Sequence, residues 1–386
     1  MTEPRVLFYV QHLLGIGHLS RASRIARAMV DRGMVVTLVT GGMPVPGFPG
    51  PGIPNVALPP VAVGDVSFKG LVDAQGQPAD AAYMAARQAA LLQAFHDARP
   101  DLVMLEAFPF GRKQVRTELL ALIAAVEATT PRPALVASLR DILQRRSKPS
   151  RDEETVDLVQ RHFDMVLVHG DPAFAALGDS FPYADRIVDK VVYSGLVCPP
   201  PPPPAPERFD IILSAGGGAV GAGLVRAGIA AAALMPDIAR WLVISGPNLP
   251  QAEVDALTAQ RPANVTLTRF RPDLASLLSG AGLSVSQAGY NTVGDILQAG
   301  CRAVLVPFTG QGETEQADRA ERLARLGRVT VVPDADLTGA RLAAGIRAGL
   351  AGPDPVTVPI AVDGAAQSGA ILYDLILKRR GQTSIT

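Results

Sequence analysis

The chain reads as an α/β protein made of two doubly wound, Rossmann-like domains facing a cleft, and three observations point that way. Short apolar runs recur along it, among them 5–10, 134–138, 241–244 and 283–285, separated by amphipathic stretches of helical length. Strands that are apolar throughout and alternate with helices belong to parallel sheets covered on both faces. Glycine-bearing turns follow the first apolar run of each half, at 15–18 and at 216–221. Between the halves lies a proline run, 199–204 with Pro206, which can join neither a helix nor a central strand and forms a stiff, extended spacer. A chain of 386 residues also exceeds one ordinary core. The expected organisation is a first domain over 1–198, a linker over 199–206 and a second domain over 207–386. The last helix, about 366–380, is a candidate to pack back on the first domain.

The elements follow in order. The first half opens with a strand at 5–10, a glycine turn and a helix over 20–32, then strands at 35–39, 102–105, 134–138 and 165–168. Segment 41–60 is rich in Gly and Pro with scattered apolar residues. It reads as a surface loop, or as a loop that contacts an acceptor or a membrane. The basic stretch 145–151 reads as a solvated loop, or as an anion-recognition loop. The second half has strands at 210–213, 241–244, 265–267, 283–285 and 304–306. Between its last two strands a helix opens after Gly289 and ends at Gly300. Ligands of such sheets bind beyond the carboxyl ends of the strands.

Composition removes several classes of function. Lys+Arg and Asp+Glu both number 36, so no net charge draws the chain to nucleic acid. Cys198 and Cys301 lie far apart without metal-ligand spacing, which fits a reducing cytoplasm and no disulfide framework. The N-terminus leads straight into a strand without the apolar core of a signal peptide, and no uncharged apolar run reaches the ~18 residues of a spanning helix. A cytoplasmic protein is expected, with peripheral contact at the inner membrane face left open.

The turn at 286–295 carries the clearest chemistry. Gly289 would let backbone approach a ligand closely, and the helix after it offers free N–H groups and the positive end of its dipole. That arrangement receives phosphate without a metal. Asn291 and Thr292 lie in its first turn, and Asp295, one turn in, can accept hydrogen bonds from a ribose diol. Gly216, Gly217 and Gly218 begin a G-x-G-x-x-G pattern after a strand. The strand that should end in the acid of an NAD site ends instead in 244–247 without one. A phosphate loop for another ligand, or a close strand-to-helix turn with no ligand, remains. In the first half Gly17 and His18 occupy the matching turn, again with no acid after the second strand. His18, with an ordinary pKa near 6.5, suits a general base; an N-capping or packing histidine is the alternative. Arg21 follows within one turn. Glu106, Arg140 and Asp141 stand at strand ends as acceptor contacts or a second base, or as loop ion pairs and caps. Glu315 and Gln316 could hydrogen-bond sugar hydroxyls, or provide only the acidity that helix N-termini favour. Asp334 and Asp336 form a D-x-D pattern, but it reads as a turn after the strand at 329–332, and no metal site is expected.

These motifs resemble the two-domain GT-B glycosyltransferases, most closely the MurG-like group that transfers N-acetylglucosamine from UDP-GlcNAc. The likeness runs over almost the whole chain and is specific in the motifs. Residues 15–18 are similar to the family's first-domain glycine loop, and 216–218 to its second-domain loop. Phe270 and Arg271 lie in a segment similar to the one whose backbone reads uracil. Segment 289–295 resembles the diphosphate turn with its ribose acid, and Glu315 and Gln316 fall where the family contacts the sugar. Asp295 stands where Glu is usual, Gln287 where many plant-type relatives have His, and 195–198 lacks the arginine of the MurG-like run. These departures suggest a relative with another acceptor.

The resemblance implies an inverting, metal-independent transfer with no cofactor, the UDP-sugar being a donor substrate. The partner would be a hydroxyl acceptor such as a lipid-linked cell-envelope or polysaccharide precursor, and no nucleic acid. Two rivals stand beside it. A UDP-sugar 2-epimerase on the same fold needs several carboxylates near the sugar, for which Glu106, Asp141, Glu313 and Glu315 are available. A non-catalytic nucleotide-sugar-binding protein would tolerate loss of His18.

Overall fold

The structure, a computed structural model, describes residues 2–13, 17–64, 70–145, 149–203, 205–216, 221–247 and 249–381. The chain divides into two compact units. The first is Met1–Val197 with the segment from Ala361 onward, and the second is Cys198–Ile360.

The first unit runs β1 (Arg5–Val10), α1 (Gly17–Asp31), β2 (Val35–Thr40), β3 (Asn55–Ala57), β4 (Ala62–Val63), β5 (Leu71–Val72), α2 (Ala81–Ala98), β6 (Leu102–Glu106), α3 (Arg116–Ala128), β7 (Ala134–Arg140), α4 (Pro149–His162), β8 (Met165–His169) and β9 (Val191–Tyr193). Seven strands form one sheet in the order β3-β2-β1-β6-β7-β8-β9, every pairing parallel. The order reverses between β1 and β6. In a doubly wound sheet the ligand crevice opens there, at the carboxyl ends of the strands. The central strands are buried along their length, which is why they read as unbroken apolar runs.

Five elements depart from the sequence reading. Segment 41–60 is not loop throughout: β3 lies inside it and pairs with β2. A small antiparallel pair, β4 with β5, and the edge strand β9 were also unforeseen. All are short and only partly buried, so none has the apolar pattern that marks a strand. Helix α1 starts at Gly17 rather than at Ser20.

The second unit runs β10 (Ile211–Ser214), α5 (Ala222–Ala233), β11 (Trp241–Ile244), α6 (Gln251–Gln260), β12 (Val265–Thr268), α7 (Leu274–Leu278), β13 (Leu283–Ser286), α8 (Tyr290–Ala299), β14 (Ala303–Leu305), α9 (Glu315–Arg325), β15 (Thr330–Val331) and α10 (Gly339–Ala351). Its sheet, again all parallel, has the order β12-β11-β10-β13-β14-β15 and reverses between β10 and β13. Helix α8 buries Tyr290, Val293, Gly294 and Ile296. Glycine in a helix interior costs about 1 kcal/mol against alanine. At Gly294 packing accounts for it, because a Cβ there would sit 3.0 Å from the Cys198 Sγ. Gly300 closes the helix in the left-handed region at φ 67°.

The final helix, α11 (Gly364–Arg379), belongs to the first unit. It lies close on α1: a Cβ at Gly369 would come within 2.9 Å of the Ala28 carbonyl oxygen. Arg380 just beyond it pairs with Asp101 at 2.7 Å.

Candidate active site

In the first unit the switch point holds a buried cluster of charge. Helix α1 turns Leu19, Ala22, Ile25, Ala26 and Met29 inward, and Arg21 is buried with them. A guanidinium in that position requires an anion, and Glu106, the last residue of β6, provides it. The carboxylate is 1% exposed and accepts three contacts: Arg21 at 2.6 Å, Arg112 at 2.7 Å and the Nδ1 of His18 at 2.6 Å. An ionised carboxylate can only accept, so Nδ1 of His18 carries the hydrogen and Nε2 keeps its lone pair. Burial, the largest effect, pushes the Glu106 carboxyl up, but His18, then Arg112 and Arg21, together hold it well below the usual carboxylate range. His18 is pushed down to about 4, first by burial; Glu106 works against that, and Arg112 and Arg21 add to it. At neutral pH the ring is therefore an uncharged base with a fixed tautomer.

Behind the cluster lies a second buried histidine. His169, at the end of β8, meets the Ser138 hydroxyl at 2.8 Å and the Ser194 hydroxyl at 3.0 Å, and the Ser368 hydroxyl of α11 at 3.3 Å. Burial, with Arg21 adding to it, lowers His169 to about 3.

A polar pin fixes the loop in front. Arg87 of α2, fully buried, pairs with Glu118 at 2.7 Å, and the Tyr9 hydroxyl donates to Glu118 at 2.6 Å. Arg87 also donates to the carbonyls of Gly41 and Pro59, at 2.7 and 2.6 Å, gripping segment 41–60 at both ends. The Ser23 hydroxyl of α1 ties the middle by donating to Pro49 at 2.7 Å.

In the second unit the switch point is built from backbone. Gly289 caps α8 at φ −65°, ψ 150°, a conformation open to any residue, and its side chain position is crowded by nothing closer than the Thr292 hydroxyl at 3.8 Å. Among the described residues neither backbone nor packing demands glycine there. Asn291, Thr292 and Asp295 are half-buried and share one helix face by their spacing. Ser286, which ends β13, is 1% exposed, and among the described residues its hydroxyl has no hydrogen-bond partner. The turn is riveted from α9: the Gln316 amide oxygen accepts from the N–H of Ala288 at 3.1 Å and of Phe308 at 3.2 Å, and Arg319 donates to the Ala288 carbonyl at 2.8 Å.

These contacts revise several expectations. Glu315 is 3% exposed and paired with fully buried Arg319 at 2.8 Å, so its carboxylate is withdrawn from a sugar, and the Gln316 oxygen holds the turn together. Asp141 is completely buried and so withdrawn from direct acceptor contact, while Arg140 beside it is half-buried. Arg21 and Glu106 are 3% and 1% exposed and paired with each other at 2.6 Å beside His18. The Arg271 side chain is held by Asp273 at 2.7 Å and Glu207 at 2.9 Å, leaving Phe270, 68% exposed, as the open group of its loop. Gly216 adopts φ 72°, which favours glycine, whereas Gly217 and Gly218 lie outside the described residues, as does Gly15 in the loop before Gly17 and His18. Asp334–Asp336 forms a helical turn, and among the described residues no three His, Cys, Asp or Glu side chains gather as metal ligands. Arg112, His169 and Arg87 went unforeseen. A buried arginine on the apolar face of α1 was the one local signal that such a cluster existed.

Comparison with known proteins bears on both units. Residues 213–358 match the glycosyltransferase family 28 C-terminal domain. The chain is 28% identical over 126 residues to the UDP-N-acetylglucosamine–N-acetylmuramyl-(pentapeptide) pyrophosphoryl-undecaprenol N-acetylglucosamine transferase of Rhizobium rhizogenes, covering 32% of this chain and 34% of that protein. It is 27% identical over 177 residues to the enzyme of the same name from Agrobacterium fabrum, covering 44% and 46%. The matched stretch thus spans less than half the length of these curated relatives. Among solved structures it is similar to CalG4, the calicheamicin glycosyltransferase (TM-score 0.62, 17% identity, 99% of this chain and 100% of that one). It is also similar to MurG of Acinetobacter baumannii (TM-score 0.58, 17% identity, 97% and 100%). These likenesses establish the fold as that of the GT-B glycosyltransferases.

Proposed function

We propose that this chain, a GT-B protein carrying the glycosyltransferase family 28 C-terminal domain, moves a sugar from a UDP-sugar donor to a hydroxyl acceptor with inversion and without a metal ion. The sugar is GlcNAc or a related hexose. The acceptor is a cell-envelope or polysaccharide precursor, taken up by a cytoplasmic protein at the inner face of the membrane. The relatives' printed activity supports this choice of donor and acceptor class, and no helix among the described residues is long and apolar enough to cross a membrane.

The observation that carries the proposal is the 2.6 Å contact between His18 and Glu106. It leaves Nε2 as a base and supplies a carboxylate to stabilise the imidazolium that forms. In the proposed step Nε2 takes the acceptor proton as the acceptor oxygen bonds to the anomeric carbon. The bond from that carbon to the diphosphate breaks on the opposite face, and the electron pair leaves with UDP. Negative charge grows on the diphosphate, where the first-turn N–H groups and the dipole of α8 would stabilise it. A side chain at residue 289 would crowd only what lies outside the protein, which fits a glycine kept for close approach of a ligand. Asp295 would take the ribose diol, Asn291 and Thr292 the diphosphate, and Phe270 with the Arg271 backbone the uracil.

The epimerase alternative is less well served. Two of the carboxylates it would use, Glu106 and Glu315, are already engaged by arginine. The test is UDP release from UDP-sugars in the presence of EDTA, over a panel of hydroxyl acceptors, followed by NMR. Acceptor-dependent UDP release with an inverted product supports transfer. A new sugar epimer formed without acceptor supports the isomerase, and UDP binding without turnover leaves a binding protein.

A further inference from the structure

One peptide at the start of α8 is set by a side chain from another helix. The hydrogen-bond ladder of α8 begins with the Val293 N–H donating to the Gly289 carbonyl at 3.0 Å. The peptide joining Ala288 to Gly289 therefore lies just outside the ladder, and the helix does not fix which way it faces. Arg319 of α9 fixes it: its guanidinium, fully buried, donates to the Ala288 carbonyl at 2.8 Å. The preceding peptide is held from the same helix, since the Gln316 amide oxygen accepts from the Ala288 N–H at 3.1 Å. Arg319 has little freedom to move. Glu315 pairs with it at 2.8 Å and offsets its charge, and its guanidinium carbon lies 5.8 Å from the centre of the Tyr290 ring. What reaches Ala288 is thus a directed hydrogen bond rather than a net charge. In a trans peptide the C=O and the N–H point to opposite sides, and the Ala288–Gly289 bond is not one of the chain's cis peptides. With the Ala288 carbonyl drawn toward a guanidinium that is 0% exposed, the Gly289 N–H faces away from the interior. Gly289 is half-buried, and among the described residues its N–H meets no acceptor. A half-turn of this peptide would put a carbonyl oxygen where the N–H stands, and an oxygen there would repel an anion.

We infer that Arg319 is a positioning residue for the donor: it presents the Gly289 N–H to a diphosphate without touching the ligand itself. An N–H already held toward the anion needs no rearrangement when the ligand arrives or when its charge grows. The role toward a donor rests on the transferase reading; the orientation of the peptide rests on the hydrogen bonds alone.

The experiment titrates the full-length chain with UDP and with uridine, which shares the base and ribose but lacks the diphosphate, in a calorimeter. The variant is Glu315→Leu combined with Arg319→Met, which removes both buried charges together, an exchange that buried ion pairs often tolerate. The unaltered chain is expected to bind UDP more tightly than uridine. In the double variant UDP should weaken by about tenfold or more, the usual worth of a hydrogen bond to a charged group, while uridine stays within about threefold. Glu315→Ala, which keeps Arg319, should retain the preference for UDP. Nitrogen-15 NMR gives a second readout: saturating UDP should move the Gly289 amide proton downfield in the unaltered chain and leave it in place in the double variant. Equal weakening of UDP and uridine would make Arg319 a purely structural residue and overturn the proposal. An unchanged UDP preference in the double variant would also overturn it. So would a Gly289 amide that UDP does not move in the unaltered chain, a measurement that stands even if the double variant does not fold. In each of these cases the donor reading survives as long as the unaltered chain prefers UDP. If that chain binds UDP no more tightly than uridine, the donor reading itself falls, and the role of Arg319 falls with it.

Discussion

The two units fill equivalent points of equivalent sheets, yet with opposite materials. In the first, the switch point is filled by side chains drawn from distant segments: His18 and Glu106 are 88 residues apart in sequence and 2.6 Å apart in space. In the second, it is filled by the main chain of one continuous turn, from Ser286 into α8, braced from outside by Gln316 and Arg319. A base needs a tuned pKa and a fixed tautomer, which only neighbouring charged side chains supply. A diphosphate needs an array of N–H groups, which a helix terminus supplies by its geometry.

That contrast can be broken most forcefully at His18. His18→Ala is expected to lower kcat by ~10²–10⁴, the usual share of a general base, while the Kd for UDP stays within twofold. Equal losses in both would place His18 in donor binding. Glu106→Gln should also slow transfer. It leaves Arg21 and Arg112 without their buried counter-charge, a loss of ~3–5 kcal/mol, so calorimetry should show a melting temperature lower by roughly 10 °C.

The second unit is probed by Gly289→Leu. Since no contact among the described residues requires glycine there, the melting temperature should hold within a few degrees while UDP affinity falls ~10–100-fold, or about 1.4–2.8 kcal/mol. A large drop in stability with unchanged affinity would mean that the turn is structural.

Acid titration separates the units further. Unfolded histidine titrates near 6.5, whereas His18 and His169 titrate at about 4 and about 3 in the fold. Between those values the unfolded chain binds more protons, so stability falls as pH drops below 6.5, and the loss is complete only below the folded values. His169→Gln should flatten this decline, which melting curves from pH 7 to pH 4 would register.

The smallest effect on turnover is expected at Glu315. Glu315→Ala strands buried Arg319 and should lower the melting temperature, but the KM for the UDP-sugar should change by less than about threefold, since a side chain that does not touch the sugar removes no binding. A large KM change would restore Glu315 to the sugar site.

The same contrast explains what could be read from the sequence. Both sheets, their strand runs and the helix between Gly289 and Gly300 were legible because unbroken apolar strands and glycine boundaries are local signals. The turn from Ser286 into α8 was legible for the same reason. The charge cluster was not: Glu106 stayed open between an acceptor contact, a second base and a loop ion pair, because nothing near it in sequence names Arg112 or Arg21 as its partners. Glu315 was ambiguous in the same way. Acidity at a helix N-terminus is compatible with a ligand contact or with an internal ion pair, and only the burial of Arg319, four residues on, decides between them. The short strand β3 escaped notice because it pairs at a sheet edge with two of its three residues exposed.

The central claim is that His18 is a neutral base with its hydrogen held on Nδ1 by Glu106. Nitrogen-15 NMR of the imidazole tests it without an acceptor in hand. The expected result is an Nδ1–H tautomer at pH 7, with an unprotonated Nε2 and a titration midpoint near 4. A ring carrying its hydrogen on Nε2, or one that is charged at pH 7, would contradict the account.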